Sequence, residues 1–213
     1  MVKQENVMET GTTTVGIVCK DGIVLAADKR ATAGYLIANK KTEKIQKVTD
    51  NIALTMAGTV SDAQLLIKVA ESELRLKRIR AGREVNVKEA ANLIARLVYS
   101  NIRKFSVIPG ISHFVLGGKD SKGHYLYDIY ADGSIMEIDD FISSGSGSVF
   151  VFGVLESQYK KDLSVEEGVK LAVKCVNAAL QRDIASGDGI DVMTVTKDGV
   201  KKVLSRELRL KIE

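Results

Sequence analysis

Thr12-Thr13-Thr14-Val15-Gly16-Ile17-Val18-Cys19, Lys20-Asp21-Gly22 and Ile23-Val24-Leu25-Ala26-Ala27-Asp28 are the stretch on which the reading of the fold turns. From Thr13 to Cys19 the run is rich in β-branched residues, which suit a pleated surface. Lys20-Asp21-Gly22 is a hairpin turn signal, and a second apolar run follows it. The stretch predicts two antiparallel strands. Asp28 interrupts the second run and is followed by Lys29 and Arg30. An acid closing a buried strand is either an edge residue meeting water or a paired carboxylate of a site, and the two readings stand level.

The same alternation continues outward. Ile45 to Val48 and Ile52 to Met56 flank another turn, Asp50-Asn51. The period then changes: from about Ser61 to Ala81 apolar residues recur at Leu66, Ala70 and Leu74, with Gly82 as a stop. Asn86-Val87-Lys88-Glu89 resembles a capping box and opens a second helix with Ala90, Ile94, Leu97, Val98 and Ile102 on one face; Pro109-Gly110 closes that helical block. Strands return at Ser112 to Gly117, His124 to Tyr130 and Ser134 to Ile138. A Gly/Ser segment, Ser143 to Ser148, leads into a short helix near Val149 to Gln158, and Ser164-Val165-Glu166-Glu167 caps a longer one. Ile190 to Thr196 and Val200 to Leu204 form a last pair about Lys197-Asp198-Gly199.

Strands, two helices, strands, two helices, strands: the tight turns make neighbouring strands antiparallel, because parallel pairs need long crossovers. Two helix pairs can cover two sheets packed face to face, an α+β layered sandwich. A single mixed sheet with helices on one side is the alternative.

Composition bounds the function. The chain has 213 residues, 45% hydrophobic and 27% charged, which excludes disordered, collagenous and coiled-coil classes. Lys and Arg number 31 against 27 Asp and Glu, with signs interspersed, so nucleic acid is not an expected partner. The densest basic run, Arg75, Lys77, Arg78, Arg80 and Arg83, reads as a solvated helix end. Cys19 and Cys175 lie far apart and read as buried thiols in a reducing compartment. No apolar run has the length of a membrane span, and Met1 to Gly11 lacks the apolar core of a secretory signal. A cytoplasmic protein is expected.

Several chemistries lack their residues. The two histidines, His113 and His124, fall in predicted strands, no G-x-S-x-G elbow occurs, and no phosphate-loop motif is present. His/Cys zinc ligands are missing. Gly145-Ser146-Gly147 lacks the third glycine of a dinucleotide loop, so the residues alone favour a flexible turn that caps a helix. Asp183, Ser186, Gly187, Asp188, Gly189 and Asp191 do not follow the calcium-loop pattern and read as a helix end plus turn. Thr12, Thr13 and Thr14 read as the start of a strand. A threonine hydroxyl becomes a useful nucleophile when a base lies within reach, and the α-amino group of the same residue is such a base. That requires a cut between Gly11 and Thr12, which the residues permit without selecting.

Gly11-Thr12-Thr13-Thr14-Val15-Gly16 resembles the β subunit of archaeal-type 20S proteasomes. The resemblance continues in the family's order through Leu25 to Arg30, Glu43-Lys44-Ile45, Met56-Ala57-Gly58, Ser144 to Ser148, Gly153 to Tyr159 and Arg182 to Gly187. It implies the N-terminal-nucleophile hydrolase fold, a four-layer αββα sandwich with two mostly antiparallel sheets between helix layers. Residues 1–11 are then a propeptide removed by autocatalysis at Gly11, and 12–213 the mature peptidase domain. By the same resemblance Thr12 is the nucleophile of a threonine endopeptidase, and Asp28 and Lys44 are the charged pair beside it. Ser146, Asp183 and Ser186 form the hydrogen-bonding group around its amine, and Gly58 supports the oxyanion. Ala31, Met56 and Val60 line a pocket that prefers hydrophobic side chains, although for Val60 an ordinary core position is as good a reading. Heptameric β rings, flanking α-subunit rings, a regulatory ATPase acting through the α rings and unfolded polypeptide substrates are implied, with no metal or organic cofactor.

Three rival readings remain at this point: an inactive structural subunit of the same fold, an N-terminal-nucleophile hydrolase of small amides, and an anion-binding module at Gly145–Gly147.

Overall fold

The computed structural model describes residues 11–208; of the expected propeptide only Gly11 lies within them. Thr14–Cys19 (β1) and Gly22–Asp28 (β2) form the expected hairpin, with Cys19 paired to Gly22 across the turn. β2 also pairs with Gly189–Thr196 (β11), which pairs with Gly199–Glu207 (β12), while β1 takes Phe141–Ser144 (β10) on its other edge. The resulting five-stranded sheet has the order β10-β1-β2-β11-β12. The second five-stranded sheet contains Ile45–Thr49 (β5), Ile52–Gly58 (β6), Ser112–Lys119 (β7), His124–Ile129 (β8) and Ile135–Ile138 (β9), side by side in chain order. All these pairings are antiparallel.

Side-chain alternation explains why two sheets stack. In β2 every residue is buried. Ile23, Leu25 and Ala27 join Ile45, Ala53, Val115 and Leu126 of the other sheet in a core between the sheets. Val24 and Ala26, one step out of phase, face Ser148–Gln158 (α3) and Val165–Leu180 (α4) through Val151, Leu155, Ala172 and Val176. On the outer face of the second sheet, Ile52, Leu54, Phe114 and Leu116 pack on Ala63, Leu66, Ala70, Leu74, Ile94 and Val98 of Val60–Ala81 (α1) and Val87–Ile102 (α2). Three apolar clusters thus cement four layers, and the single-sheet alternative is overturned. Among the described residues no helix is long and apolar enough to cross a membrane.

Local signals hold at the helix ends. Asn86 and Ser164 each close a reciprocal capping box, with Glu89 and Glu167, and Gly82 ends α1 in the left-handed region at φ 63°. Cys19 and Cys175 are buried, unpaired thiols, and burial pushes both up to about 12. Two expectations need correction. Pro109-Gly110 does not end α2, which stops at Ile102 with Arg103 as its cap, well before the proline. Ser143 and Ser144 belong to β10, where Ser144 Oγ meets Thr14 Oγ1 (2.7 Å) and Ser143 Oγ donates to the Thr14 carbonyl (2.7 Å). Partners of this kind let serines occupy a buried strand. An additional hairpin, Ala31–Ala33 (β3) with Leu36–Asn39 (β4), projects after β2.

Candidate active site

Five chain segments converge at one end of the first sheet: the entry to β1, the end of β2, the start of β5, the turn into α3 and the loop between α4 and β11. The antiparallel order of β1 and β2 sets Asp28 beside the start of β1. Thr13 N–H donates to Asp28 Oδ1 (2.9 Å) and Asp28 N–H donates back to the Thr13 carbonyl (3.2 Å). Lys44 Nζ, from the residue preceding β5, donates to the same Oδ1 (2.7 Å). Asp28 Oδ2 accepts from the N–H groups of Arg30 (3.0 Å) and Gly187 (3.0 Å). With four donors and no solvent exposure, Asp28 is a paired interior carboxylate, not an edge residue. Removing two charges from water costs several kcal/mol per ion unless the remaining lone pairs are satisfied, which here they are.

Lys44 is 3% exposed. Burial holds its ammonium below the ordinary 10.5, opposed by the Asp28 and Asp183 carboxylates and reinforced by the positive charge of Arg30. Its remaining contact is with the chain just ahead of β1: Nζ donates to the Gly11 carbonyl (3.3 Å). That carbonyl also accepts from Thr12 Oγ (2.7 Å), and Gly11 N–H donates to Thr32 Oγ1 (3.0 Å). The Gly11–Thr12 peptide bond is therefore held at both ends, with a hydroxyl and an ammonium converging on its carbonyl oxygen.

On the opposite side of Thr12 lies a hydroxyl–carboxylate group. Thr12 N–H donates to Ser146 Oγ (3.3 Å), and Ser146 Oγ donates to Asp183 Oδ2 (2.7 Å). Ser186 Oγ reaches the same Oδ2 (2.6 Å) and Thr13 Oγ1 (2.6 Å). Because each hydroxyl has one proton and Asp183 accepts from both serines, Thr13 Oγ1 is the donor to Ser186. The Gly-Ser-Gly turn is more than a flexible cap. Gly145, at φ 92°, lies so close to the Thr12 carbonyl that a Cβ would strike it, and a Cβ on Gly147 would strike Thr13 Oγ1. Gly147 N–H donates to the Thr12 carbonyl (3.3 Å) as α3 begins.

The remaining candidates lie nearby in the fold. Gly58 ends β6 at φ 99°, where a Cβ would collide with the Ile111 carbonyl, and Met56 N–H donates to the Lys44 carbonyl (2.8 Å), tying that strand to the site. Met56 is 3% exposed in the cluster beneath α1 and α2. Val60 is the first residue of α1, and Ala31 opens β3; both are half-buried. Sequence reasoning missed Thr13, Thr32, Arg30 and the Gly187 N–H. Of these only Thr13 carried a signal, as the middle of three hydroxyls in a row, whose alternation turns it away from Thr12.

Comparison with known proteins identifies the family of the chain. The family model described as "Proteasome subunit" matches residues 8–195. The proteasome subunit beta of Ferroglobus placidus is 44% identical over 203 residues, 95% of each chain. That of Methanocaldococcus vulcanius is 40% identical over 93% of this chain and 87% of its own. The corresponding protein of Methanobrevibacter ruminantium is 42% identical over 95% of this chain and 94% of its own. A family match that covers most of the chain, with relatives 40–44% identical over nearly its whole length, shows that this protein belongs to the proteasome subunit family.

Proposed function

We propose that the chain is the catalytic β subunit of a 20S proteasome, an N-terminal threonine endopeptidase that makes its own nucleophile by cutting between Gly11 and Thr12. One observation carries the reading: Thr12 Oγ and Lys44 Nζ meet on the Gly11 carbonyl oxygen.

In the uncut chain Thr12 Oγ attacks the Gly11 carbonyl carbon, and its proton passes to the departing Thr12 nitrogen as the C–N bond breaks. Lys44 stabilises the negative oxygen in the transition state, the kind of interaction whose loss costs about 2.7–4 kcal/mol. Water then hydrolyses the resulting ester to a Gly11 carboxylate and a free Thr12. The new α-amine, ordinarily titrating at about 7.7–8.0, lies against Ser146 and beside the Lys44 ammonium, which disfavours its protonated form. It can then accept the Thr12 hydroxyl proton near neutral pH. In turnover Thr12 Oγ attacks the substrate carbonyl, Gly58 N–H steadies the oxyanion, the amine protonates the leaving nitrogen, and water releases the acyl group. Ala31, Met56 and Val60 favour hydrophobic side chains before the cut. Heptameric β rings between α rings, fed by a regulatory ATPase in the cytoplasm, confine the sites to unfolded polypeptides.

The test is intact mass and peptide turnover after co-expression with the matching α subunit. Particles whose β chain begins at Thr12 and which hydrolyse a fluorogenic peptide support the reading. Assembled particles that retain Met1–Gly11, or that are trimmed but inert, overturn it.

Asp28→Asn tests the charge arrangement. Removing the carboxylate takes away the strongest influence raising the Lys44 pKa and leaves burial to lower it further. A neutral Lys44 no longer disfavours the protonated amine, so the acid limb of the pH–rate profile moves to higher pH. The expected fall in kcat is about 10²-fold. An unmoved acid limb would show that Lys44 does not set the basicity of the amine.

A further inference from the structure

The loop from Asp183 to Gly189 carries much of the site, yet it is an irregular segment between α4 and β11. Asp183 and Ser186 form its hydroxyl–carboxylate group, and Gly187 N–H holds Asp28. Such a loop needs an external hold to keep sub-ångström geometry. Arg30 supplies one. Its Nε donates to Asp188 Oδ2 (2.7 Å) and its Nη1 donates to the Ile184 carbonyl (2.9 Å), so the guanidinium grips the loop on both sides of Ser186. Its plane lies against Gly187 so closely that a Cβ there would strike it. The backbone N–H of Arg30 shares Asp28 Oδ2 with that of Gly187. One residue therefore ties the loop to the carboxylate that holds Lys44.

Asp188 is unusual in its own right. At φ 63° it is the one non-glycine residue with a positive φ among those described. A left-handed conformation at an L residue costs free energy even though Asp tolerates it better than most. The conformation delivers the carboxylate to Arg30, and the two side chains are 12% and 21% exposed, well removed from the solvent that weakens surface pairs. The Asp188 carbonyl also accepts from Leu208 N–H (3.0 Å), fixing the loop exit.

We propose that Arg30 and Asp188 form a clamp of positioning residues that sets the loop carrying Asp183 and Ser186 against Asp28, and thereby the geometry of Thr12 and Lys44. The inference rests on the reading of Thr12 as the nucleophile. Neither residue touches the reacting atoms. Arg30 acts on Lys44 as a charge as well as through the loop. The charged groups facing Lys44 are Asp28 from the end of β2, Arg30 just beyond it, and Asp183 after α4. Arg30 disfavours the protonated forms around it, and Asp188 partly neutralises Arg30.

Opposite signatures follow for the two partners. Asp188→Asn keeps the size and the tolerance of left-handed backbone but leaves Arg30 uncompensated. Arg30→Gln removes the positive charge, and Arg30→Lys keeps it while losing the fork. In particles with α subunits, all three variants are expected to lower kcat roughly 10- to 100-fold with KM unchanged. The acid limb should move to lower pH in Asp188→Asn, to higher pH in Arg30→Gln, and stay in place in Arg30→Lys. A general loss of folding cannot move it both ways. Thr12→Ala, run alongside, reports separately on the nucleophile. If the clamp variants mature and turn over within twofold of wild type while Thr12→Ala is dead, the clamp is wrong and the nucleophile stands. Limbs that shift together also overturn it. Should Asp188→Asn fail to assemble, the Arg30→Lys and Arg30→Gln pair decides: equal profiles overturn the clamp, and a shift in Arg30→Gln alone supports it.

Discussion

Thr12→Ala leaves a chain that assembles with its α partner, keeps Met1–Gly11 and hydrolyses no peptide. In the proposed mechanism both losses have one cause, because the hydroxyl that attacks the Gly11 carbonyl in the uncut chain is the hydroxyl that attacks substrate afterwards. Removing a nucleophile that works as a unit with its base abolishes nearly the whole enhancement, about 10⁶-fold in kcat in comparable hydrolases. The fold should survive. Thr12 Oγ makes its hydrogen bond to the adjacent Gly11 carbonyl and supports no distant element, and the backbone contacts of Thr12 to Ser146 and Gly147 do not involve the side chain. Thr12→Ser separates hydroxyl chemistry from the methyl group. It keeps the oxygen but frees χ1, since a β-branched residue holds fewer rotamers than serine. It should still self-cleave and turn over peptide, several-fold more slowly. Intact mass and fluorogenic turnover of wild type, Thr12→Ala and Thr12→Ser read all of this. Trimming of Thr12→Ala to the wild-type mass would assign the cut to another protease, and residual turnover near wild type would remove Thr12 from the chemistry.

The fold was largely legible because the chain punctuates itself. Lys20-Asp21, Asp50-Asn51 and Lys197-Asp198 each turn between strands that pair as read, and Asn86 and Ser164 mark helix starts by reciprocal side-chain bonds. The illegible pieces lack such patterns. β3 and β4 are three and four residues long; β4 is exposed throughout and β3 buries only Thr32, a polar residue, so no apolar rhythm announces them. β10 is half hidden because only Phe141 and Ile142 pack on apolar clusters, while the burial of Ser143 and Ser144 is met by hydroxyl bonds to Thr14. Pro109 misled for a different reason. A proline forbids helix where it stands but does not say how far upstream the helix has already ended.

Legibility of the site followed another logic. Asp28 stood out as an acid at the end of an apolar strand, although residues alone left edge and pair level; its four donors come from the residues just before β1 and β5, its own turn and a loop more than a hundred residues away. No local pattern could supply that set. Lys44, Ser146 and Asp183 were ordinary polar residues until the family resemblance joined them, because their meeting is a product of strand order and helix docking. Gly145 and Gly147 were open to a reading as a flexible turn that caps a helix. Their glycines instead serve closeness, giving the Thr12 carbonyl and Thr13 hydroxyl room that any Cβ would fill.

That same closeness makes Gly11→Ala the most informative change outside the nucleophile. A Cβ on Gly11 would fall on the Cβ of Ala185 and crowd its backbone, at a buried position. The loop cannot simply retreat, since Asp183 and Ser186 hold it from within and Arg30 grips Ile184 and Asp188. Gly11 must move instead, and its carbonyl then leaves Thr12 Oγ and Lys44 Nζ. A displacement near 1 Å in such a reaction costs about 10²-fold, enough to leave the chain uncut over the time of assembly. The steric account makes a sharper demand: Ala185→Gly should rescue Gly11→Ala in part, because it removes the nearest atom that the new methyl meets and leaves only the milder approach to the backbone of residue 185, its Cα at 2.8 Å, with every hydrogen bond of the site in place. Ala185→Gly alone should mature and turn over like wild type. Intact mass against time after mixing with α subunits distinguishes the outcomes. Cutting of Gly11→Ala at the wild-type rate would sink the account, and so would a double variant as inert as Gly11→Ala beside an Ala185→Gly chain that matures normally. Rescue would assign to Ala185, a residue without any reactive group, the requirement for glycine ahead of the nucleophile.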